Sequence, residues 1–318
     1  MNKKAVLIIP YFGKKPNYFN LWLKSAEKNP DYTFFIYSDL DLNVSKNSNV
    51  KVKNISFCEL QKRIKNLFGE DIKIKNPYKL CDYKPAYGLI FKDDIVDFDF
   101  WGFCDIDLIF GDLNHFISDE IFDNYDKLFF HGHFCLFRNC KKMNYLFLKK
   151  YDKICDFKFS SHTNYICHFD ENGSVAYAAK KDDDIKQYFK WCFYDVPYNS
   201  YQFVTVSSKE EKYAYWDNGK LTLNSKNGNV SEIMYIHLQK RDMLNWSTID
   251  NNCKAFYILR NEFHEADGVF SINNKLNSLN TNNKNEFDTL CVKKKKKLIF
   301  NNLFSGGLIA RMKRFSKL

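Results

Sequence analysis

Two aspartates one residue apart, Asp105 and Asp107, lie between an apolar stretch at residues 98–104 and a second one at residues 108–110. Two carboxylates in this arrangement offer the hard oxygen ligands that Mg²⁺ and Mn²⁺ prefer, and a bound cation can neutralise a leaving diphosphate. The first apolar stretch is typical of a buried strand, whose end would hold both carboxylates at the edge of a sheet. The sequence therefore predicts a divalent metal site at Asp105 and Asp107, with a pair of surface-loop carboxylates as the alternative.

The segments before this pair alternate between patterns typical of strands and patterns typical of helices. Continuous apolar runs indicate buried strands, and apolar positions three and four residues apart indicate helices packed on a sheet. The patterns predict strands at residues 5–9, 32–37 and 50–55, and helices at residues 19–26 and 57–68. This order is typical of a doubly wound α/β fold, in which ligands bind at the carboxyl ends of the strands.

The composition is that of a globular protein. The chain has 318 residues, of which 45% are hydrophobic, 27% charged and 18% aromatic. These values exclude a disordered or collagen-like chain, and the length fits one large α/β unit or two closely apposed ones. The 10 cysteines are scattered without a Cys-x-x-Cys pair, which favours small buried thiols in a reducing compartment over a zinc site or a disulfide framework.

The net charge of +10 is concentrated at one end of the chain. The basic residues from position 292 onward, which include a run of lysines at residues 293–297, account for almost all of it, and no acidic residue accompanies them. As a helix, this tail would carry an apolar stripe among basic side chains, which is typical of an anchor to an anionic membrane surface. The alternative is a solvated, unstructured tail. No nucleic-acid-binding motif accompanies the charge, so nucleic acid is not an expected partner.

The sequence has no apolar run long enough to span a bilayer, and its first apolar stretch, at residues 5–10, is shorter than the core of a signal peptide. We therefore expect a cytoplasmic protein that is peripheral on the inner face of the plasma membrane through its tail.

Five segments are distinctive when they are taken together. They are residues 9–13 (IPYFG), 17–23 (NYFNLWL), 77–88 (PYKLCDYKPAYG), 100–112 (FWGFCDIDLIFGD) and 235–241 (YIHLQKR). With these segments the chain resembles, over about residues 5 to 265, the small bacterial glycosyltransferases of capsular polysaccharide and lipopolysaccharide biosynthesis. The resemblance implies an α/β fold of the GT-A-like, Rossmann-like type, with a mixed sheet and flanking helices. It also implies a metal-dependent DXD motif and transfer of a sugar from a nucleotide diphosphate sugar, such as a UDP-sugar, to a glycan or lipid-linked glycan.

The resemblance assigns roles to residues that precede the metal strand. Tyr11 and its loop would lie against the nucleotide base, and Asp39 would reach the base or the ribose. The alternatives are a packed turn aromatic and an ordinary strand-end carboxylate. Lys79 and Lys84 would contact phosphate oxygens and Asp82 would accept hydrogen bonds from sugar hydroxyls, with a salt-bridged helix start as the alternative.

A late histidine commonly completes the metal shell in such enzymes, so the resemblance implies His237 as a third ligand beside Asp105 and Asp107. Neutral imidazole is a suitable ligand for Mn²⁺. Lys240 and Arg241 follow this histidine and would contact the diphosphate, with a solvated strand end as the alternative.

An inverting transfer needs a carboxylate within hydrogen-bond reach of the acceptor hydroxyl. Asp170 and Glu171 follow the metal strand in the expected acceptor half, and either of them is a candidate general base. His131 and His133 are expected in the acceptor pocket or in a structural role rather than in a second metal site.

We expect one GT-A domain in two halves, followed by a linker and a tail. Residues 1–112 would bind the nucleotide sugar and residues 113–268 the acceptor, residues 269–292 would form an Asn/Ser-rich linker, and residues 293–318 the basic amphipathic tail. Two other functions stay open at this point. One is a metal-dependent nucleotidyl or phosphoryl transferase, which also uses paired carboxylates, and the other is a membrane-surface scaffold built around the tail.

Overall fold

The computed structural model describes residues 3–150, 156–171, 175–205, 208–244, 249–250, 252–266, 272–277 and 281–304. The end of the predicted tail, from residue 305 onward, lies outside the described residues. Among the residues described, no helix combines the length and the apolar character that crossing a membrane requires.

Strands and helices alternate through the first part of the chain, as the apolar patterns predict. The strands are β1 Ala5–Pro10, β2 Tyr32–Ser38, β3 Val50–Asn54, β4 Phe100–Cys104, β5 Leu108–Phe110, β6 Lys127–His131, β7 Phe134–Arg138, β8 Gln187–Tyr188, β9 Tyr194–Asp195, β10 Val204–Thr205, β11 Ser208–Asp217, β12 Lys220–Ser225, β13 Val230–Glu232, β14 Tyr235–His237, β15 Ala255–Leu259 and β16 Glu262–Glu265. The helices are α1 Phe19–Glu27, α2 Phe57–Phe68, α3 Tyr87–Ile90, α4 Leu113–Phe116, α5 Asp119–Asn124, α6 Lys141–Asn144, α7 Phe157–Ser161, α8 Val175–Lys181, α9 Ile272–Asn277 and α10 Thr281–Phe304. Turns of 3₁₀ helix lie at Pro77–Ala86, Lys92–Asp94 and Leu146–Leu148.

The main sheet of the described residues is mixed and follows the order β3-β2-β1-β4-β7-β6-β8. Its first four strands in this order are parallel, and β7 runs antiparallel to both β4 and β6. Alternate residues of β1 belong to two different apolar clusters, Leu7 and Ile9 to one and Val6 and Ile8 to the other. Because alternate residues of a strand point to opposite faces, the sheet is covered on both faces, which explains the uninterrupted apolar sequence of β1. The chain is therefore an α/β protein.

Two smaller sheets complete the described part of the fold. One has the order β5-β14-β9, and the other has the order β13-β12-β11-β15-β16 with β10 beside β11. β5 follows β4 after a short turn, so the chain passes directly from the main sheet into the first of these smaller sheets. That turn contains Asp105 and Asp107.

Local capping signals define the bounds of α2, whose predicted span at residues 57–68 is confirmed. The Ser56 hydroxyl accepts the N–H of Glu59 at 3.2 Å, and the Glu59 carboxylate accepts the N–H of Ser56 at 2.8 Å. Such a reciprocal pair satisfies two N–H groups that the helix leaves unbonded, and a cap of this kind is worth about 1 kcal/mol. Gly69 follows the helix with a φ of 103°, a conformation that glycine adopts without steric cost.

The segment predicted as a linker at residues 269–292 contains helix α9 and the beginning of α10. Phe287 of α10 packs against Tyr201, with ring centroids 5.8 Å apart, and against the guanidinium of Arg241 at 4.7 Å. This part of the segment is thus helical and packed on the fold, because a few anchoring contacts outweigh the low helix propensity of its asparagines. The predicted boundary between the two halves, at residue 112, lies within the main sheet. Strand β4 comes before this residue and pairs with β7, which comes after it.

Candidate functional site

A three-stranded sheet brings polar side chains from distant chain positions together. β5 begins directly after Asp107 and pairs antiparallel with β14, so that Leu108 lies opposite His237. β14 pairs in parallel with β9, so that His237 lies opposite Asp195. The N–H of Leu238 donates to the carbonyl of Asp107 at 2.9 Å, so the pairing of β5 with β14 continues to Asp107. The strand pairing therefore places Asp107, His237 and Asp195 side by side.

The imidazole of His237 lies between two carboxylates. Its Nδ1 is 2.9 Å from Oδ1 of Asp195, and its Nε2 is 3.4 Å from Oδ2 of Asp107. Although burial opposes the charged form, the carboxylate of Asp107 and hydrogen bonds to both aspartates raise the pKa of His237 to about 10. In metal sites, a histidine held by a carboxylate at one ring nitrogen presents the other nitrogen to the cation. Asp195 is placed to orient His237 in this way.

Asp107 has one carboxylate oxygen fixed by the backbone and one without a protein partner. Oδ2 accepts the N–H of Lys240 at 2.7 Å. Oδ1 is buried and has no hydrogen-bond partner in the described part of the chain. Although burial raises the pKa of this carboxyl, His237 and Lys240 hold it well below its usual range, so Asp107 is ionised. Because a buried polar atom without a partner costs about 1–3 kcal/mol, Oδ1 is suited to receive a cation.

The turn after β14 has an unusual backbone conformation. Gln239 and Lys240 both have positive φ, at 54° and 53°. Residues other than glycine adopt this region at a cost of about 1–3 kcal/mol each, and such residues cluster at binding sites. Here the conformation directs the N–H of Lys240 to Asp107. The turn after β14 thus fixes the carboxylate of Asp107.

Asp105, Asp107 and His237 fit a divalent cation, because one ligand atom from each lies within 4.8 Å of the others. Two carboxylates and an imidazole are ligands that suit Mn²⁺. His133, Asp195 and His237 also bring ligand atoms within 4.8 Å of one another. In that second set, however, Asp195 would have to serve both as a ligand and as the partner of His237. The first set is the better candidate, since it uses the unpartnered oxygen of Asp107.

Lys84 lies between Asp105, a candidate metal ligand, and Asp170, a candidate base. Its Nζ is 2.7 Å from Oδ1 of Asp105 and 3.2 Å from Oδ2 of Asp170, and it donates to the carbonyl of Gly132 at 2.7 Å. Burial lowers the pKa of Lys84, but these two carboxylates raise it well above its ordinary value. Lys84 therefore stays positive between Asp105 and Asp170.

Asp170 has the titration behaviour of a candidate general base. Burial raises its pKa to about 7, against the attraction of Lys84. Its Oδ1 is buried and has no partner among the described residues. A Cβ at Gly132 would lie 2.7 Å from Oδ2 of Asp170 and 2.6 Å from Cγ of Glu171, so glycine is needed for the close approach of this turn. A carboxyl with a pKa near neutrality is suited to accept a proton.

Lys79 and Asp82 form a buried ion pair, and neither residue lines the cleft at the site, contrary to their predicted contact with the donor. Nζ of Lys79 is 2.5 Å from Oδ2 of Asp82 and also donates to two backbone carbonyls. Asp82 accepts the N–H groups of Cys167 and Phe169, both at 2.9 Å. The pair therefore fixes the loop that carries Asp170.

Replacing Asp82 with alanine is expected to lower the free energy of unfolding by about 3–5 kcal/mol, the usual cost of removing one partner from a buried ion pair. The change leaves the ammonium of Lys79 unpaired and removes the acceptor of two backbone N–H groups. Urea denaturation followed by circular dichroism measures the loss. The control is Asp288→Ala, which removes an exposed ion pair with Lys284 and should change stability little. Wild-type stability in Asp82→Ala would show that this pair does not hold the loop.

The site residues line a cleft of about 900 Å³ that reaches the carboxyl ends of β1 and β4. Part of its lining is basic and includes Lys14, Lys15, Lys84 and Lys240. Nζ of Lys240 lies 4.4 Å from the ring centroid of Tyr78, which also lines the cleft. The volume is in the range of sites for small molecules, about 300–1,000 Å³, and the basic part suits an anionic ligand.

The structure brings some of the other predicted residues to the cleft. Tyr11 and Glu171 line it, and the Tyr11 hydroxyl donates to the carbonyl of Lys14 at 2.7 Å. Asp39 is exposed and is not among the lining residues. The guanidinium of Arg241 borders the cleft but donates to backbone carbonyls, among them that of Tyr201 at 3.1 Å. This placement argues against the predicted contact of Arg241 with a diphosphate and gives it a structural role.

Sequence reasoning missed Asp195. The residue lies in the two-residue strand β9, and no recognisable motif surrounds it. Its proximity to the site follows only from the parallel pairing of β9 with β14. No local signal in the sequence predicts this pairing, because the two strands are distant in the chain.

The fold and the site together define an α/β protein with a cleft whose carboxylates and imidazole are able to hold a divalent cation. The chain belongs to a family of unknown function, DUF6625, whose family model matches residues 7–267. The match includes every residue of the candidate site and ends before α9. No curated protein and no solved structure matches the chain.

Proposed function

We propose that this protein is a metal-dependent glycosyltransferase with a GT-A-like fold, which moves a sugar from a nucleotide diphosphate sugar to a capsular or lipopolysaccharide glycan. The observation that carries the proposal is the position of Asp105, Asp107 and His237 in one cleft with Lys84 and Lys240. A diphosphate leaving group develops negative charge as the sugar departs, and metal ligands beside basic side chains are suited to stabilise that charge.

The topology supports the same proposal. In open α/β sheets, ligands bind in the crevice at the carboxyl ends of the strands. The cleft contains Pro10 at the end of β1 and Cys104 at the end of β4, and these two strands are neighbours in the main sheet. In this proposal Tyr11, in the loop after β1, lies against the nucleotide base, and a UDP-sugar is the expected donor.

The candidate metal ligands, Lys240 and Asp170 then have distinct roles. A cation held by Asp105, Asp107 and His237 supplies positive charge for the leaving diphosphate. Although burial lowers the pKa of Lys240, the carboxylates of Asp105 and Asp107 raise it, so this lysine adds a second positive charge. Asp170 accepts the proton of the acceptor hydroxyl as that oxygen attacks the sugar.

The proposal is tested by slow hydrolysis of a panel of nucleotide sugars by the purified protein, with Mn²⁺ and with EDTA. We expect release of nucleoside diphosphate from one donor in the presence of Mn²⁺ and none with EDTA. Release of nucleoside monophosphate and sugar 1-phosphate instead would indicate attack on phosphorus, as in nucleotidyl or phosphoryl transfer. If no donor is hydrolysed and no nucleoside diphosphate binds, the enzymatic proposal is overturned.

Attachment to a membrane is a separate part of the proposal. The lysines of α10 whose side chains are described, Lys293, Lys295 and Lys296, are exposed. Basic residues near an anionic leaflet contribute about 1 kcal/mol each to binding. Removal of residues 293–318, the predicted tail, should weaken cosedimentation with phosphatidylserine vesicles and leave donor hydrolysis in solution intact. A scaffold built around the tail would instead show no donor hydrolysis at all.

A further inference from the structure

An aromatic surface leads from the cleft to solvent. Phe130 and His131 line the cleft, and Phe189 and Trp191 continue the surface outward. The ring centroids of Phe130 and Phe189 are 4.4 Å apart, and those of His131 and Trp191 are 5.4 Å apart. Trp191 is 64% exposed and Phe189 is 40% exposed. We name these four residues the aromatic rim. Contiguous exposed apolar side chains, unlike single ones, mark a binding surface.

The aromatic rim is connected to the candidate catalytic groups by ring contacts. His131 stacks on His133 with ring centroids 5.1 Å apart and planes at 11°, and the ring centroid of His133 lies 4.6 Å from that of His237. Gly132 lies between the two histidines in the chain and packs against Asp170, since a Cβ at this position would be 2.7 Å from Oδ2 of Asp170. A ligand on the rim would therefore extend directly to Asp170 and to the metal-binding residues.

The part of the cleft next to the rim contains the ammonium of Lys84, which is paired with Asp105 and Asp170, and otherwise carboxylates and imidazoles. Its carboxylates are Asp170, Glu171 and Asp195. This environment repels phosphate and carboxylate groups. It suits a ring with an apolar face for the aromatic side chains and with hydroxyl groups for the carboxylates.

We infer that the aromatic rim binds an uncharged pyranose ring of the acceptor glycan, stacked on Trp191 and Phe189, with the reacting hydroxyl directed to Asp170. The inference rests on the proposed glycosyl transfer and names the class of its acceptor. In the transfer, the hydroxyl oxygen bonds to the anomeric carbon of the donor while the bond from that carbon to the diphosphate oxygen breaks. The hydroxyl proton passes to Asp170, and the nucleoside diphosphate leaves with the bonding electrons.

Saturation-transfer NMR tests the inference by binding alone. The full-length protein, loaded with Mg²⁺ and UDP, is mixed with the methyl glycosides of glucose, galactose, mannose or N-acetylglucosamine. We expect at least one of these to bind and Trp191→Ala to weaken that binding about tenfold or more, because aromatic anchors dominate such sites. Methyl glucuronide should bind more weakly than methyl glucoside, since its carboxylate would face the three acidic side chains.

The matched control is Phe159→Ala, compared with Phe189→Ala. Both phenylalanines are 40% exposed, but Phe189 packs on Phe130, which lines the cleft, whereas Phe159 belongs to α7. Phe189→Ala should weaken glycoside binding and Phe159→Ala should not. Circular dichroism and the thermal midpoint establish that each variant is folded.

Three outcomes would overturn the inference. The first is that no glycoside binds to the wild-type protein. The second is that Trp191→Ala and Phe189→Ala bind the glycosides as the wild type does. The third is that Trp191→Ala converts a dimer to a monomer in analytical ultracentrifugation. The last result would assign the aromatic rim to a second copy of the chain. Failure of the proposed function has a different readout, which is the absence of metal-dependent donor hydrolysis by the wild-type protein.

Discussion

Asp107→Asn is expected to reduce kcat/KM for sugar transfer by about a thousandfold or more, equal to about 4 kcal/mol of lost transition-state stabilisation. The substitution removes the negative charge that a cation needs while it keeps the shape of the side chain. Its amide oxygen can still accept the N–H of Lys240, the bond that Asp107 now accepts at 2.7 Å. We therefore expect a folded protein that binds Mn²⁺ weakly, as measured by isothermal titration calorimetry beside the turnover assay.

A second aspartate of the same segment provides the matched control. Asp112 is exposed and accepts the N–H groups of Asn114 and His115 at the start of α4, at 3.0 and 3.3 Å. Asparagine caps helices as well as aspartate does, so Asp112→Asn should keep both stability and turnover. Metal-dependent turnover at the wild-type rate in Asp107→Asn would remove Asp107 from the metal site.

Asp170→Asn is expected to lower turnover by about 10²- to 10⁴-fold, the usual contribution of a general base. The wild-type rate should fall as the pH drops below about 7, because burial raises the pKa of Asp170 to about 7 and only the ionised carboxylate can accept a proton. The measurement is the pH profile of kcat/KM with a saturating metal concentration. A rate that does not depend on pH between 5 and 8 would contradict this role for Asp170.

Substitutions at two neighbours of Asp170 are expected to shift the pH profile of kcat/KM in opposite directions. Glu171 raises the pKa of Asp170 through like-charge repulsion, and Lys84 lowers it through attraction. Glu171→Gln should therefore move the acidic limb of the profile to lower pH, and Lys84→Gln should move it to higher pH. If Glu171→Gln instead abolishes turnover and Asp170→Asn does not, Glu171 is the general base.

The same pKa has a consequence for stability. Since the pKa of Asp170 is higher in the folded chain than in the unfolded one, its protonation stabilises the fold most fully below the unfolded pKa of about 3.9. This contribution is lost as the pH rises through about 7. Asp170→Asn should flatten the decrease of unfolding free energy over that interval, as measured by denaturation at several pH values.

The sequence was sufficient to predict strands β1 to β4 and helices α1 and α2, because uninterrupted apolar runs such as that of β1 are seldom ambiguous when both faces of a sheet are covered. It also indicated Asp105 and Asp107 as neighbours at a strand end. This was possible because the spacing of the two carboxylates is a local property of the sequence. The distance of His237 from them depends on the pairing of β5 with β14, which no local pattern encodes.

The residues whose placement differed from expectation are those whose partners are distant in the chain. Asp82 belongs to a motif that suggested a contact with sugar hydroxyls. Its carboxylate instead accepts hydrogen bonds from Lys79 and from the N–H groups of residues 167 and 169. Arg241 was expected at a diphosphate, but backbone carbonyls surround its guanidinium. A buried charge requires partners wherever the fold supplies them, so tertiary contacts rather than residue type determine such roles.

During translation, β5 leaves the ribosome long before its partner β14. All three residues of β5 are buried in the finished protein, so the strand must wait without its hydrogen-bond partners while the intervening chain is made, for several seconds or more at about 5–20 residues per second. Unpaired apolar strands are prone to aggregate in that interval. A fragment that ends before His237 would leave β5 without its partner strand and could not assemble the three candidate metal ligands. The shortest chain that can form the candidate site therefore extends through β14.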